Sequence, residues 1–226
     1  MRKLRGPVTL RGPVGLGGPQ ALRGSFEPVR PATLENARLV GARVGRIRLV
    51  LASDVSGSME DFAAPCDAAL DMFLRWARGN MLADDEIAVL DFAGSSGARL
   101  RPTAIASLPR RLPGAVAVDG SSTEFGPVLH SVAQMPATTS EVYLVLLSDG
   151  QLRGLPDDTD AADRMRAAHG LAGIRLLVPG ADIEVPGGWT AAFPEAEPDR
   201  FDGNDANATG LTFARVLASC TGQFLA

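Results

Sequence analysis

Residues 47–60 read IRLVLASDVSGSME, and the fold follows from that stretch. Positions 47–52 are an almost continuous aliphatic run, too short for a helix of its own and typical of a strand buried on both faces. The next residues are polar and carry Gly57, where the chain turns. Residues 62–78 then place Phe62, Cys66, Ala69, Leu70, Phe73 and Ala77 at helical spacing. A buried strand, a polar loop and an amphipathic helix in that order begin a βαβ unit.

The same alternation runs outward from this start. Residues 87–92 (IAVLDF) read as a second strand, and residues 99–105 as a short one that Pro102 pushes to an edge or interrupts. Residues 125–134 read as a helix with Pro127 in its first turn, where a missing donor costs nothing. VYLVLLS, 142–148, is the clearest strand, followed by a helix at 161–169 and a strand at 174–178. A Pro/Gly-rich connection, a weak sixth strand near 200–202 and an amphipathic helix at 208–219 complete the pattern. The implied class is α/β, doubly wound and Rossmann-like: a mostly parallel central sheet with helices on both faces. In such sheets ligands sit beyond the carboxyl ends of the strands, so a site is expected just after residues 52 and 148.

Residues 1–45 differ in composition. RGPVTL, RGPVGL and GGPQAL repeat in sixes from Arg5, with Leu4, Leu10, Leu16 and Leu22 in step. This reads as a Gly/Pro/Arg-rich arm or a small strand-rich cap, leaving 46–226 as the main domain. The first 50 residues carry a net charge of +8 and the rest −12. A basic arm beside an acidic body favours docking on its own domain or plain solvation over nucleic acid, because Phe26 is its only ring. No apolar run approaches the roughly 20 residues of a membrane span, and none stands behind MRKLRGPV as a secretion signal requires. A cytoplasmic location is therefore expected, and the abundance of Gly, Ala and Arg beside the single Lys3 suggests a bacterial source. Cys66 and Cys220 have no metal or disulfide spacing and read as buried thiols.

At the expected edge stand Asp54, Ser56 and Ser58 after the first strand, and Ser148-Asp149-Gly150 after the central one. Carboxylates with serine hydroxyls make an all-oxygen donor set, which suits Mg²⁺ and not zinc. Taken singly, Asp54 or Ser56 also reads as an ordinary helix cap. With STEF at 122–125 opening a helix, the three segments DVSGS, STEF and LLSDG together resemble a von Willebrand factor type A domain and its metal-ion-dependent adhesion site. That resemblance spans roughly residues 46–225. It implies a metal held by Asp54, Ser56, Ser58, Thr123 and Asp149: Mg²⁺, with Mn²⁺ or Ca²⁺ as alternatives. It further implies one open coordination position for an Asp or Glu of a partner protein. Ser122 stands where the family often has glycine, which removes no ligand.

The function that follows from the resemblance is a metal-dependent protein-interaction module, an adaptor or scaffold subunit of an intracellular multi-protein system, its partner associated with an ATPase complex. No GxSxG elbow, P-loop or GxGxxG fingerprint is present, so a non-enzyme is expected. The competing readings are an Mg²⁺-dependent phosphohydrolase, for which no general base or nucleophile stands out, and a surface adhesin of the same fold.

Overall fold

The computed structural model describes residues 32–43, 45–120 and 122–226. The hexad repeat lies outside them. The elements in chain order are β1 (Leu39–Val40), β2 (Ile47–Asp54), α1 (Glu60–Asn80), β3 (Glu86–Phe92), β4 (Ser96–Ala104), α2 (Phe125–Ala133) and β5 (Glu141–Leu147). They continue with α3 (Thr159–Ala168), β6 (Leu171–Val178), α4 (Gly187–Ala192), β7 (Asp199–Arg200), α5 (Ala206–Thr221) and β8 (Phe224–Leu225).

The alternation along β2 explains the layering. Ile47, Leu49 and Leu51 enter one apolar cluster together with Phe73 of α1 and Phe213 of α5. Val50 and Ala52 enter the other, with Phe125 and Val128 of α2, Ala162 of α3 and Trp189 of α4. A strand so placed is buried along its whole length, as β2 is, and this is why its sequence lacks a polar face. The sheet order is β4-β3-β2-β5-β6-β7, with every pairing parallel except that of β3 with β4. The doubly wound α/β class expected from the sequence is the observed one.

Several elements differ from their sequence reading in extent. β4 is nine residues long and antiparallel, with a register shift between Ile87 and Val89 of its partner strand that accommodates Pro102. Its position at the sheet edge leaves the proline's missing donor harmless. The sixth strand of the sheet is only two residues, parallel to β6, and starts at Asp199. Within the Pro/Gly-rich connection lies α4, whose Trp189 is fully buried and packs tilted against Phe193 with ring centroids 4.6 Å apart. Six helical residues behind Pro186 are too few to show a period, and this hid it.

Part of the described chain before β2 packs into the core. Leu34 and Ala37 are buried, the Trp76 indole N–H donates to the Ala37 carbonyl at 2.8 Å, and β1 pairs antiparallel with β8. Asp85 anchors the beginning of β2: fully buried, it accepts from the Ile47 N–H (3.0 Å), the Leu82 N–H (2.8 Å) and the Arg43 guanidinium (2.6 Å).

Candidate functional site

β2 and β5 are neighbours from which the chain winds in opposite directions, so a crevice opens at their carboxyl ends. Ser53 pairs with Leu147, and the residues that follow, Asp54 and Ser148, therefore leave the sheet side by side. The Ser148 hydroxyl donates to Asp54 Oδ2 at 2.7 Å and lies 3.5 Å from Asp149 Oδ1, so it stands between the two carboxylates. Asp54 Oδ1 accepts the Ser56 N–H at 2.9 Å, and the Ser56 and Ser58 hydroxyls are 3.2 Å apart. Asp149 Oδ1 accepts the Gln151 N–H at 2.9 Å. Gly150 completes the turn with φ +84°, a conformation that L side chains rarely adopt.

Four of the five residues singled out in the sequence thus fall in one hydrogen-bonded cluster. Thr123 reaches the same edge through its backbone. Its carbonyl accepts the Arg153 N–H at 2.9 Å, just beyond the Asp149 turn, and the Glu124 N–H donates to the Ala93 carbonyl, just beyond β3. The Thr123 side chain is buried and makes no hydrogen bond among those described. The long connection leading to it is held by side chains of distant elements. Asp91 Oδ2 accepts the Val116 N–H at 2.8 Å, the Arg99 guanidinium donates to the Pro113 carbonyl, and Asp71 Oδ1 accepts the Leu112 N–H. Asp91 also pairs with Arg99 at 3.4 Å.

The alternative capping role is not realised. Ser56 precedes the 3₁₀ turn Gly57–Met59 and Met59 precedes α1, and neither side chain makes a cap hydrogen bond. Glu60 and Asp61 occupy the exposed first turn of α1, where acids suit the helix dipole.

The electrostatics of the cluster are unbalanced. Asp54 is 3% and Asp149 7% exposed, and among the described residues neither forms a salt bridge. Burial raises the Asp54 carboxyl above its ordinary value, the hydrogen bonds from Ser148 and Ser56 pull it back, and the nearby Asp149 charge raises it further. Two desolvated carboxylates side by side are costly when both are charged, and a divalent cation would offset that cost. Among the described residues no three or more His, Cys, Asp or Glu converge as a metal cluster, so hydroxyls would supply the remaining donors. Oxygen atoms alone, two of them charged carboxylates, match the preference of Mg²⁺.

Ser148 is the residue whose role the sequence left unassigned. It stands in LLSDG directly before Asp149 at the end of a buried strand, and that position was the available signal. Cys66 and Cys220 are free, with burial pushing their thiols up to about 12 and about 11. At pH 8 a thiol titrating near 11 is thiolate in roughly one molecule per thousand. Both cysteines are therefore expected to resist iodoacetamide in the native protein and to react fully in guanidinium, as read by intact mass; modification of the native protein within minutes would contradict this.

No protein-family model matches the sequence, and no curated protein is similar to it. Similarity appears among solved structures. A von Willebrand factor type A protein from Catenulispora acidiphila superposes with a TM-score of 0.53 at 15% identity, over 79% of this chain and 43% of that one. The fold is that of a von Willebrand factor type A domain. The pilus adhesin SpaC from Lactobacillus rhamnosus GG gives 0.53 at 13% identity, over 81% of this chain and 31% of its own. The ArnB paralog VWA2 from Sulfolobus acidocaldarius gives 0.50 at 13%, over 80% and 45%. This chain spans less than half the length of each of them. Among the described residues, no helix is long and apolar enough to cross a membrane.

Proposed function

We propose that this type A domain is a divalent-metal-dependent protein-interaction module. Asp54, Ser56, Ser58, Thr123 and Asp149 hold Mg²⁺, and the ion when bound offers an open coordination position to an Asp or Glu of a partner protein. The observation that carries the reading is the buried pair Asp54 and Asp149, with Ser148 between them and no salt-bridge cation among the described residues. The exposed Ser58 leaves the cluster open to a partner on the outer side, and a pilus adhesin shares the fold. The role in a larger system is that of an adaptor or scaffold subunit inside the cell, its partner belonging to an ATPase-associated complex. Neither histidine is placed at this cluster: His130 bonds Gln134 at the end of α2, and His169 caps α3.

Titration calorimetry of the full chain with MgCl₂ is the direct test. One site is expected, with Thr123→Ala weakening it by about tenfold or more, the loss of one hard oxygen ligand. Equal affinity in the variant would remove Thr123 from the set, and no binding in either protein would overturn the reading. Turnover of a phosphate monoester that needs both Mg²⁺ and Asp54 would replace it with a hydrolase.

A further inference from the structure

A second feature of the same sheet edge has no part in the cation cluster. Beyond the ends of β6 and β7 lies a groove of about 620 Å³ walled by Phe62, Pro179, Ile183 and Phe201 and rimmed by Asp182 and Asp202. Its floor closes because residue 203 is glycine: a Cβ there would lie 2.4 Å from Pro179 Cβ and 2.7 Å from Phe62 Cδ1. One wall is preset by Arg200, whose guanidinium donates to the carbonyls of Gly180, Ala181 and Ile183. The groove is thus apolar within and acidic at the rim, with Glu60 and Asp61 exposed in the same helix turn as Phe62. Its arginine is engaged by backbone, and among the described residues Asp182 and Asp202 pair with no cation.

We propose that the basic, leucine-bearing segment preceding Ala32 docks in this groove. Three observations select that occupant. The segment up to residue 31 carries six Lys or Arg against Glu27 alone, interleaved with Leu4, Leu10, Leu16, Leu22 and Phe26, so it matches both the apolar walls and the acidic rim. It also joins the body beside the groove. The Asn207 side chain donates to the Ala32 carbonyl at 3.2 Å and accepts the Leu34 N–H at 2.8 Å, and Asn207 lies three residues from Asn204 at the groove's rim. Three residues span at most about 11 Å, and the ten from Leu22 to Ala32 reach roughly 35 Å, so Leu22 and Phe26 are within range. The proposal is independent of cation binding at Asp54 and Asp149.

Hydrogen exchange of the full chain tests it. Replacing the arm's contacts (Leu22→Ser, Arg23→Glu, Phe26→Ser, Arg30→Glu) is expected to speed exchange at residues 180–183 and 202–204 by about tenfold, with β5 unchanged. Asp182→Lys with Asp202→Lys is expected to do the same in an otherwise native chain. Combining those lysines with Arg23→Glu and Arg30→Glu alone is expected to restore protection. Unchanged exchange in both variants would overturn the proposal. Protection that fades on dilution would overturn docking within one molecule and assign the groove to the arm of a second copy.

Discussion

Mg²⁺ is expected to stabilise the native chain, and Asp54→Asn is expected to abolish that effect. At a hundredfold excess of ion over its dissociation constant, binding stabilises a folded protein by about 2.7 kcal/mol. For a domain of this size that is a rise of about 5–11 °C in Tm. The substitution keeps an acceptor for the Ser56 N–H and removes the charge that sits 3% exposed near Asp149. In EDTA the variant is therefore expected to melt no lower than the native chain, since a desolvated carboxylate has been replaced by a neutral amide. Thermal melts in 10-fold steps of MgCl₂ read both effects. A variant that keeps the full Mg²⁺ shift would show that the ion binds elsewhere, and one that unfolds in EDTA would show that Asp54 is a structural anchor.

The second large effect concerns stability alone. Asp85→Ala is expected to cost about 3–5 kcal/mol, because it strands the Arg43 guanidinium, whose side chain is 7% exposed, and two backbone donors. Its neighbour in sequence, Asp84, pairs with Arg46 where the two side chains are 52% and 61% exposed, and Asp84→Ala is expected to change stability by less than about 1 kcal/mol. Denaturant unfolding of the two variants separates them, and equal losses would contradict the assignment. Two adjacent aspartates in ADDE are indistinguishable as letters. Their difference comes from Arg43, 42 positions from Asp85.

The same reasoning sorts the rest of the molecule. The central strands were readable because a strand covered on both faces must be apolar at every position, a property carried by consecutive residues. The helices α1, α2 and α5 were readable because their buried residues recur with the helical period over two turns or more. α4 was not, since fewer than two turns leave no period and it is held by packing of Trp189 against Phe193; the sixth strand was legible only weakly, near 200–202, and lies at Asp199–Arg200 against β6.

For the site, the sequence by itself determined the donor types and their attachment to strand ends: Asp54, Ser56 and Ser58 fall within five consecutive residues, and a strand ending in LLSDG has its carboxylate at the ligand-bearing edge. Only the tertiary structure decided that Ser148, 94 positions from Asp54, donates its hydroxyl to that carboxylate, and that Asp91, Arg99 and Asp71 hold the connection that brings Thr123 to the same edge. The division has one physical cause. Backbone periodicity and local turn chemistry are encoded in neighbouring residues, whereas the partner of a buried polar atom is chosen by the register of strands and the course of loops far away along the chain.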